Sequence, residues 1–190
     1  MKEGIRKADP MMWVYWSGVV VIAAVILVGI FGPRLGLRIG PGHGPVRTLT
    51  AAQGVEMAVE QFEMEYGHLP EVGSHAFDCD DVEGRSLAEI LLGRGQGVSL
   101  AQNPRKIPFL SIELAKSSTK GGLLYGKELE VLGIYDGWGE PFQILLRKPG
   151  ERGITLVHRG KTVTVERPAL VFSKGKDRIS GTKDDVRTWE

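Results

Sequence analysis

The chain has 190 residues, with 24 Lys and Arg against 23 Asp and Glu, a formal net charge of +1. That balance excludes a nucleic-acid protein held by bulk positive charge, and one cysteine, Cys79, excludes a disulfide scaffold and any multi-cysteine zinc or iron–sulfur site. A hydrophobic share of 42% beside 25% charged residues argues against wholesale disorder, and the length suits one domain of roughly 100–150 residues once a tail is removed.

Residues 1–10 read as a short tail. Met11 to Phe31 is a run of 21 residues without a charge. As a helix at ~1.5 Å per residue it matches the ~30 Å hydrocarbon core of a bilayer. Trp13, Tyr15 and Trp16 stand at its start, where amphipathic rings suit the lipid–water interface. The run is longer than the apolar part of a secretory signal peptide, and Phe31-Gly32-Pro33-Arg34 offers no small-residue cleavage site. We read it as an uncleaved transmembrane helix. Lys2, Arg6 and Lys7 before it nearly balance Arg34, Arg38 and Arg47 after it, so charge does not set its orientation.

Residues 32–45 contain Gly32, Gly36, Gly40, Gly42 and Gly44 with Pro33, Pro41 and Pro45. Gly costs ~1 kcal/mol and Pro ~3 kcal/mol in a helix interior, so this stretch is expected to be a flexible linker. A helical pattern then runs from Val46 to Tyr66. Leu49, Ala52, Val55, Val59, Phe62 and Tyr66 recur at spacings of 3, 3, 4, 3 and 4 and form one apolar stripe. Gln53, Glu56, Glu60, Glu63 and Glu65 lie mostly off it and are expected to form a solvated face. Gly67 supplies a left-handed C-terminal cap and Pro70 prevents continuation.

Leu87 to Leu92 reads as a short helix ending near Gly93. Gly95 to Pro108 is turn-rich, Ile107 to Leu114 suits a short strand or turn, and Gly121-Gly122 breaks the chain again. Asp136-Gly137-Trp138-Gly139-Glu140-Pro141 is a dense turn signal leading into an apolar strand from Phe142 to Leu146. So large a ring as Trp138 is expected to be substantially buried there. Ile154–His158 and Lys161–Glu166 alternate with period 2 about Arg159-Gly160, which predicts a hairpin. Ala169 to Phe172 is one more strand. The order predicts an α+β domain over residues 46–190, with a long amphipathic helix packed on an antiparallel sheet of three or four strands.

No nucleophile–base signature, phosphate loop or zinc-protease motif is present, and His43, His68, His75 and His158 are scattered. The reading is non-enzymatic. Cys79 lies between Asp78 and Asp80, which raise a thiol pKa and oppose a reactive thiolate. The polar constellation is at the C-terminus, where Asp177, Asp184 and Asp185 share a loop with glycines and hydroxyls after Ser173. Bent glycine-rich loops present backbone carbonyls beside carboxylates, as calcium requires. An EF-hand fails on spacing, since Ile179 and Gly181 stand where oxygen side chains are needed. Lys174, Lys176, Arg178 and Lys183 are interleaved and offer ordinary surface pairing instead. Both readings stand on the residues alone.

Several segments together resemble the major pseudopilin of type II secretion and its pilin-like relatives. They are Glu65-Tyr66-Gly67-His68-Leu69-Pro70 at the helix end, Leu87–Gly93 with Asn103-Pro104, and Asp136-Gly137-Trp138-Gly139-Glu140-Pro141-Phe142. Val171–Asp177 with Asp184-Asp185-Val186 and Trp189 completes the set. The resemblance implies a pilin-like fold over residues 46–190, an N-terminus in the cytoplasm and a periplasmic head on the inner membrane. It implies calcium held by Asp177, Asp184 and Asp185 with backbone from the Ser173 region. Phe62, Pro70, Trp138 and Trp189 take structural roles. The partners implied are other secretion-system or pilin-like subunits and further copies of the chain, with no nucleic acid. The N-terminus departs from the family. Gly4 is followed by Ile5 where prepilins have Phe, and no Glu lies within Met11–Phe31. The expectation is a structural subunit of a pseudopilus or related envelope assembly. The alternative is a membrane-tethered pseudopilin-like binding module that does not polymerise.

Overall fold

The computed structural model describes residues 43–95, 97–115, 121–158 and 160–190. The expected tail 1–10 and transmembrane helix 11–31, with most of the linker 32–45, lie outside the described residues. Among the described residues no helix is long and apolar enough to cross a membrane.

Helix α1, His43–Tyr66, has 24 residues. It begins three residues before the expected Val46, so Gly44 and Pro45 belong to its first turn rather than to a linker. Proline fits there because the first N–H groups of a helix have no intrahelical partner to lose. The predicted stripe is the buried face: Ala52, Val55, Ala58, Val59 and Phe62 are at most 1% exposed. Leu49 and Tyr66, at the two ends of the stripe, are half-buried. Met57 and Met64, seven residues apart on the outer face, are exposed. Gly67 ends the helix with a positive φ, its N–H bonding back to Glu63 O at 2.8 Å.

The acidic face is not simply solvated. Glu56 is buried and accepts from Arg167 at 2.6 Å, while Glu63 pairs with Arg147 and Glu65 with Arg105. The glutamates lie beside the apolar stripe, close enough to the sheet and loops for arginines there to reach them. Burying a carboxylate without such a partner is costly.

Helix α2, Val82–Leu92, starts earlier than Leu87 and buries Leu87, Ala88, Ile90 and Leu91. Its C-terminal cap is Gly93 at φ 65°, the left-handed conformation a Cβ disfavours. At Gly84 the helix lies on the backbone after strand β1 (Ala76–Asp78); a Cβ there would sit 2.3 Å from Asp78 O. A further short helix, α3 (Val98–Gln102), occupies part of the turn-rich middle.

The strands that follow are β2 (Gly122–Tyr125), β3 (Val131–Tyr135), β4 (Gln143–Leu146), β5 (Ile154–His158), β6 (Lys161–Val165), β7 (Ala169–Ser173) and β8 (Val186–Arg187). The main sheet is antiparallel in the order β1-β4-β7-β8. β7 is central and carries Ala169, Leu170 and Val171 fully buried; α1 packs chiefly on this strand. Phe142, just before the neighbouring strand β4, and Ile144 and Leu146 within it alternate inward. The domain is therefore α+β, a long helix on an antiparallel sheet of four strands.

The membership of the sheet differs from the expectation. The predicted hairpin forms, with His158 opposite Lys161, but among the described residues β5 and β6 pair only with each other. Thr155, Val157, Thr162 and Thr164 are exposed along one face; on the other Ile154 is buried, but Val163 is exposed and Leu156 and Val165 are half-buried, so the hairpin is covered less fully than a strand in a core sheet. The places in the sheet are taken by β1 and β8, which are three and two residues long. β2 and β3 form a second ribbon, and Ile107–Leu114 yields only a single bridge from Leu114 to Leu123.

Candidate functional site

The turn after β3 is organised by one side chain. Asp136 is fully buried, and its Oδ1 accepts from the N–H groups of Trp138 at 2.8 Å and Glu140 at 3.0 Å. A carboxylate in this position folds the turn back on itself, as Asp does through its own following backbone. The other oxygen, Oδ2, accepts from the Ser173 hydroxyl at the end of β7. Ser173 Oγ in turn accepts from Gly175 N–H at 3.0 Å. Thr48 of α1 closes the group by accepting from Gly137 N–H at 2.9 Å. Thus α1, the 136–141 turn and the start of the C-terminal loop meet at one buried carboxylate.

Trp138 is half-buried rather than deeply buried. Its indole lies against the first turn of α1, where a methyl group at Gly44 would approach it to 3.3 Å. Phe62 is fully buried and meets the rings of Tyr66, Phe109 and His68. Pro70 is buried just past the helix end. Trp189 is half-buried and meets Phe172 edge-on at 5.8 Å; its indole N–H is buried without a hydrogen-bond partner among the described residues.

The three predicted carboxylates do share one loop. Asp177 Oδ1 accepts from Ile179 N–H at 2.8 Å. Asp184 Oδ2 accepts from Asp177 N–H at 3.0 Å, and its Oδ1 from the Thr182 hydroxyl at 2.6 Å. The Thr182 hydroxyl, Asp177 N–H and further backbone N–H groups hold the Asp184 carboxyl down at about 2. Asp185 Oδ2 accepts from Gly181 N–H at 2.8 Å and from the Arg187 guanidinium. The loop is thus knitted by its own donors, and Asp185 already faces a fixed cation. Among the described residues no three His, Cys, Asp or Glu side chains form a metal-binding group. Calcium takes 6–8 oxygen ligands, and here five of the six oxygens of the three carboxylates already accept hydrogen bonds from the loop.

Arg178 is one of the basic residues interleaved in this loop. It adopts φ 62°, the left-handed region, and its guanidinium reaches Glu140 at 3.2 Å. An L-residue there costs ~1–2 kcal/mol. The pair ties the loop to the 136–141 turn a second time.

Perturbed groups gather elsewhere, at the start of α2. Burial, then Asp78, Asp80 and Asp81, push the Cys79 thiol well up; burial raises the Asp80 carboxyl and the Tyr135 phenol. All three shifts favour the neutral form and oppose a thiolate at Cys79. A groove of about 540 Å³ beside α1 is lined by Val46, Thr50, Ala51, Ile112 and Tyr135, and its charged residues, Arg47 and Glu113, pair with each other.

Sequence reasoning marked the carboxylate loop and the turn but not what joins them. Asp136 looked like turn punctuation, and Arg187 carried no motif. Asn103 enters the sequence reading within the Asn103-Pro104 segment, without a role of its own. It is fully buried, accepts from the Tyr66 hydroxyl at 2.7 Å and donates to Ile90 O and Ile107 O at 2.8 Å each. The signal available for it was a lone amide between Gln102 and Pro104, which reads equally well as a surface turn.

Comparison of the chain with protein-family models, with curated proteins and with solved structures finds no match.

Proposed function

We propose that this chain is a non-enzymatic, pilin-like subunit of an envelope assembly related to the type II secretion pseudopilus. In this reading residues 11–31 anchor it in the inner membrane, and the domain projects into the periplasm. The observation that carries the reading is the junction at Asp136. Two motifs of the resemblance, Asp136–Phe142 and Val171–Asp177, lie apart in sequence yet share one buried hydrogen-bonded unit through Asp136 and Ser173. A second support is α1, whose inner face is filled by the sheet while Met57 and Met64 remain exposed outward. An exposed apolar pair on a long helix is a natural seam for a neighbouring helix.

The second reading is a tethered module that binds a partner and never polymerises. It is favoured by the N-terminus, which lacks the Phe after Gly4 and any Glu in the apolar run. Cysteine crosslinking in cells distinguishes the two. Cys79 is buried, so Met57→Cys and Met64→Cys provide selective handles. A ladder of chain–chain adducts from a short bifunctional reagent is expected for the subunit. One adduct to a different protein supports the tethered module. Monomer alone in both variants refutes both readings of this helix face.

A further inference from the structure

The C-terminal loop contains a cation of its own making. Arg187 lies in β8, whose pairing with β7 sets Phe172 opposite Arg187 and Ser173 opposite Val186. Its backbone is therefore fixed by the sheet. Its side chain is 10% exposed and that of Asp185 only 1%. The guanidinium contacts Asp185 Oδ2 and reaches Glu190 Oε1 at 3.2 Å. From Asp185 the order passes through the Thr182 hydroxyl, which lies 3.3 Å from Asp185 Oδ1 and 2.6 Å from Asp184 Oδ1. It continues through Asp177 N–H to Asp184. One basic side chain thus stands at the head of a series that reaches all three acidic ones.

We propose that Arg187 supplies the positive charge that a divalent cation would otherwise bring to this loop, so that the loop is closed by protein groups alone and takes up no calcium. Arginine suits the task because it stays charged at every accessible pH and its planar fork matches a carboxylate. A calcium ion entering among these carboxylates would meet that fixed charge at Asp185, the one of the three whose side chain is shut off from water. It would also have to displace the Gly181, Ile179 and Asp177 N–H groups that now occupy the oxygens. Arg178, paired with Glu140, adds a second guanidinium on the outer side of the same loop.

The test is thermal melting of the full-length chain, purified in detergent micelles, in millimolar calcium chloride and in excess EGTA. The wild-type melting temperature is expected to agree between the two media within about 1 °C, because a ligand absent from the native state adds no linkage stabilisation. Arg187→Gln is expected to melt about 5–10 °C lower in both media, as removal of one member of a buried pair strands the other. A calcium-dependent rise seen in Arg187→Gln but not in the wild type also supports the proposal, since the vacated site then accepts the metal. A rise of several degrees in the wild type overturns it. So does an Arg187→Gln variant that melts like the wild type in EGTA. Should Arg187→Gln fail to fold, Arg187→Lys keeps a charge at the position. It is expected to fold with no response to calcium, and a clear response there overturns the proposal.

Discussion

Asp136 makes the sharpest case for how much one side chain organises. Replacing it with alanine leaves three donors without an acceptor: Trp138 N–H, Glu140 N–H and the Ser173 hydroxyl. A buried donor left unpaired costs ~1–3 kcal/mol. Trp138 and Glu140 are half-buried, so water can reach their amides and the lower end applies to each. Ser173 is fully buried and belongs near the middle of the range. Asp136→Ala is therefore expected to lose about 4 kcal/mol. Asp136→Asn keeps the shape and one acceptor oxygen, and its amide can donate to Ser173 Oγ, so about 1–2 kcal/mol suffices there. Ser173→Ala removes the donor to Asp136 and the acceptor for Gly175 N–H, about 2 kcal/mol. Because the two side chains share a bond, the double variant is expected to fall short of additivity by about 1 kcal/mol or more. Guanidinium unfolding followed by tryptophan fluorescence measures all four, with Trp138 reporting from the turn itself. A loss below about 1 kcal/mol for Asp136→Ala, or strict additivity with Ser173→Ala, would refute the idea that this carboxylate joins the turn to the loop.

Three further expectations follow from the geometry. Phe62→Ala should cost ~3–5 kcal/mol, because the ring is fully buried among Tyr66, Phe109 and His68; a loss under about 1 kcal/mol in the same unfolding assay rejects the packing. Asp184 is held at about 2, below its unfolded value, so its contribution to stability is present above the ordinary carboxylate range and is lost as pH falls from about 4 toward 2. Carboxyl NMR titration should then show Thr182→Val moving the Asp184 midpoint upward, and an unmoved midpoint would remove Thr182 as the main cause. Cys79 should resist a thiol reagent in the native protein at neutral pH and react only on unfolding; rapid native labelling would contradict its burial.

Much of the scaffold was legible because its signals are long. The stripe from Leu49 to Tyr66 spans several helical turns, enough for the 3.6-residue period to stand out. β4 and β7 announce themselves as apolar runs, and the hairpin by its alternation. What failed was short or non-local. β1 and β8 have three and two residues, too few for any period to show. β3 is interrupted by Gly133 at φ 151°, which spoils its strand pattern. The hairpin was placed in the sheet because alternation reports a half-buried surface without saying which element covers it. Glu56 was read as solvated because a 3.6-residue wheel cannot foresee Arg167, 111 residues away. The carboxylate loop was visible as composition, yet the pairing of Asp185 with Arg187 depends on the strand register that turns Arg187 inward.

The long reach from Glu56 to Arg167 has a consequence for how the molecule comes into being. The strand on which α1 chiefly rests, β7, is made after every other described strand but β8, and it stands inside the sheet between β4 and β8. Until Ala169–Ser173 has emerged, the first helix lacks the strand on which its inner face chiefly rests, and β4 lacks its inner neighbour. Closing so distant a contact must precede the reward for it, which slows folding and prolongs exposure of apolar surface. Nascent chains cut short before β7 should therefore be recognised by chaperones and proteases as unfinished, and the domain acquires its stability only once Ala169–Ser173 has emerged.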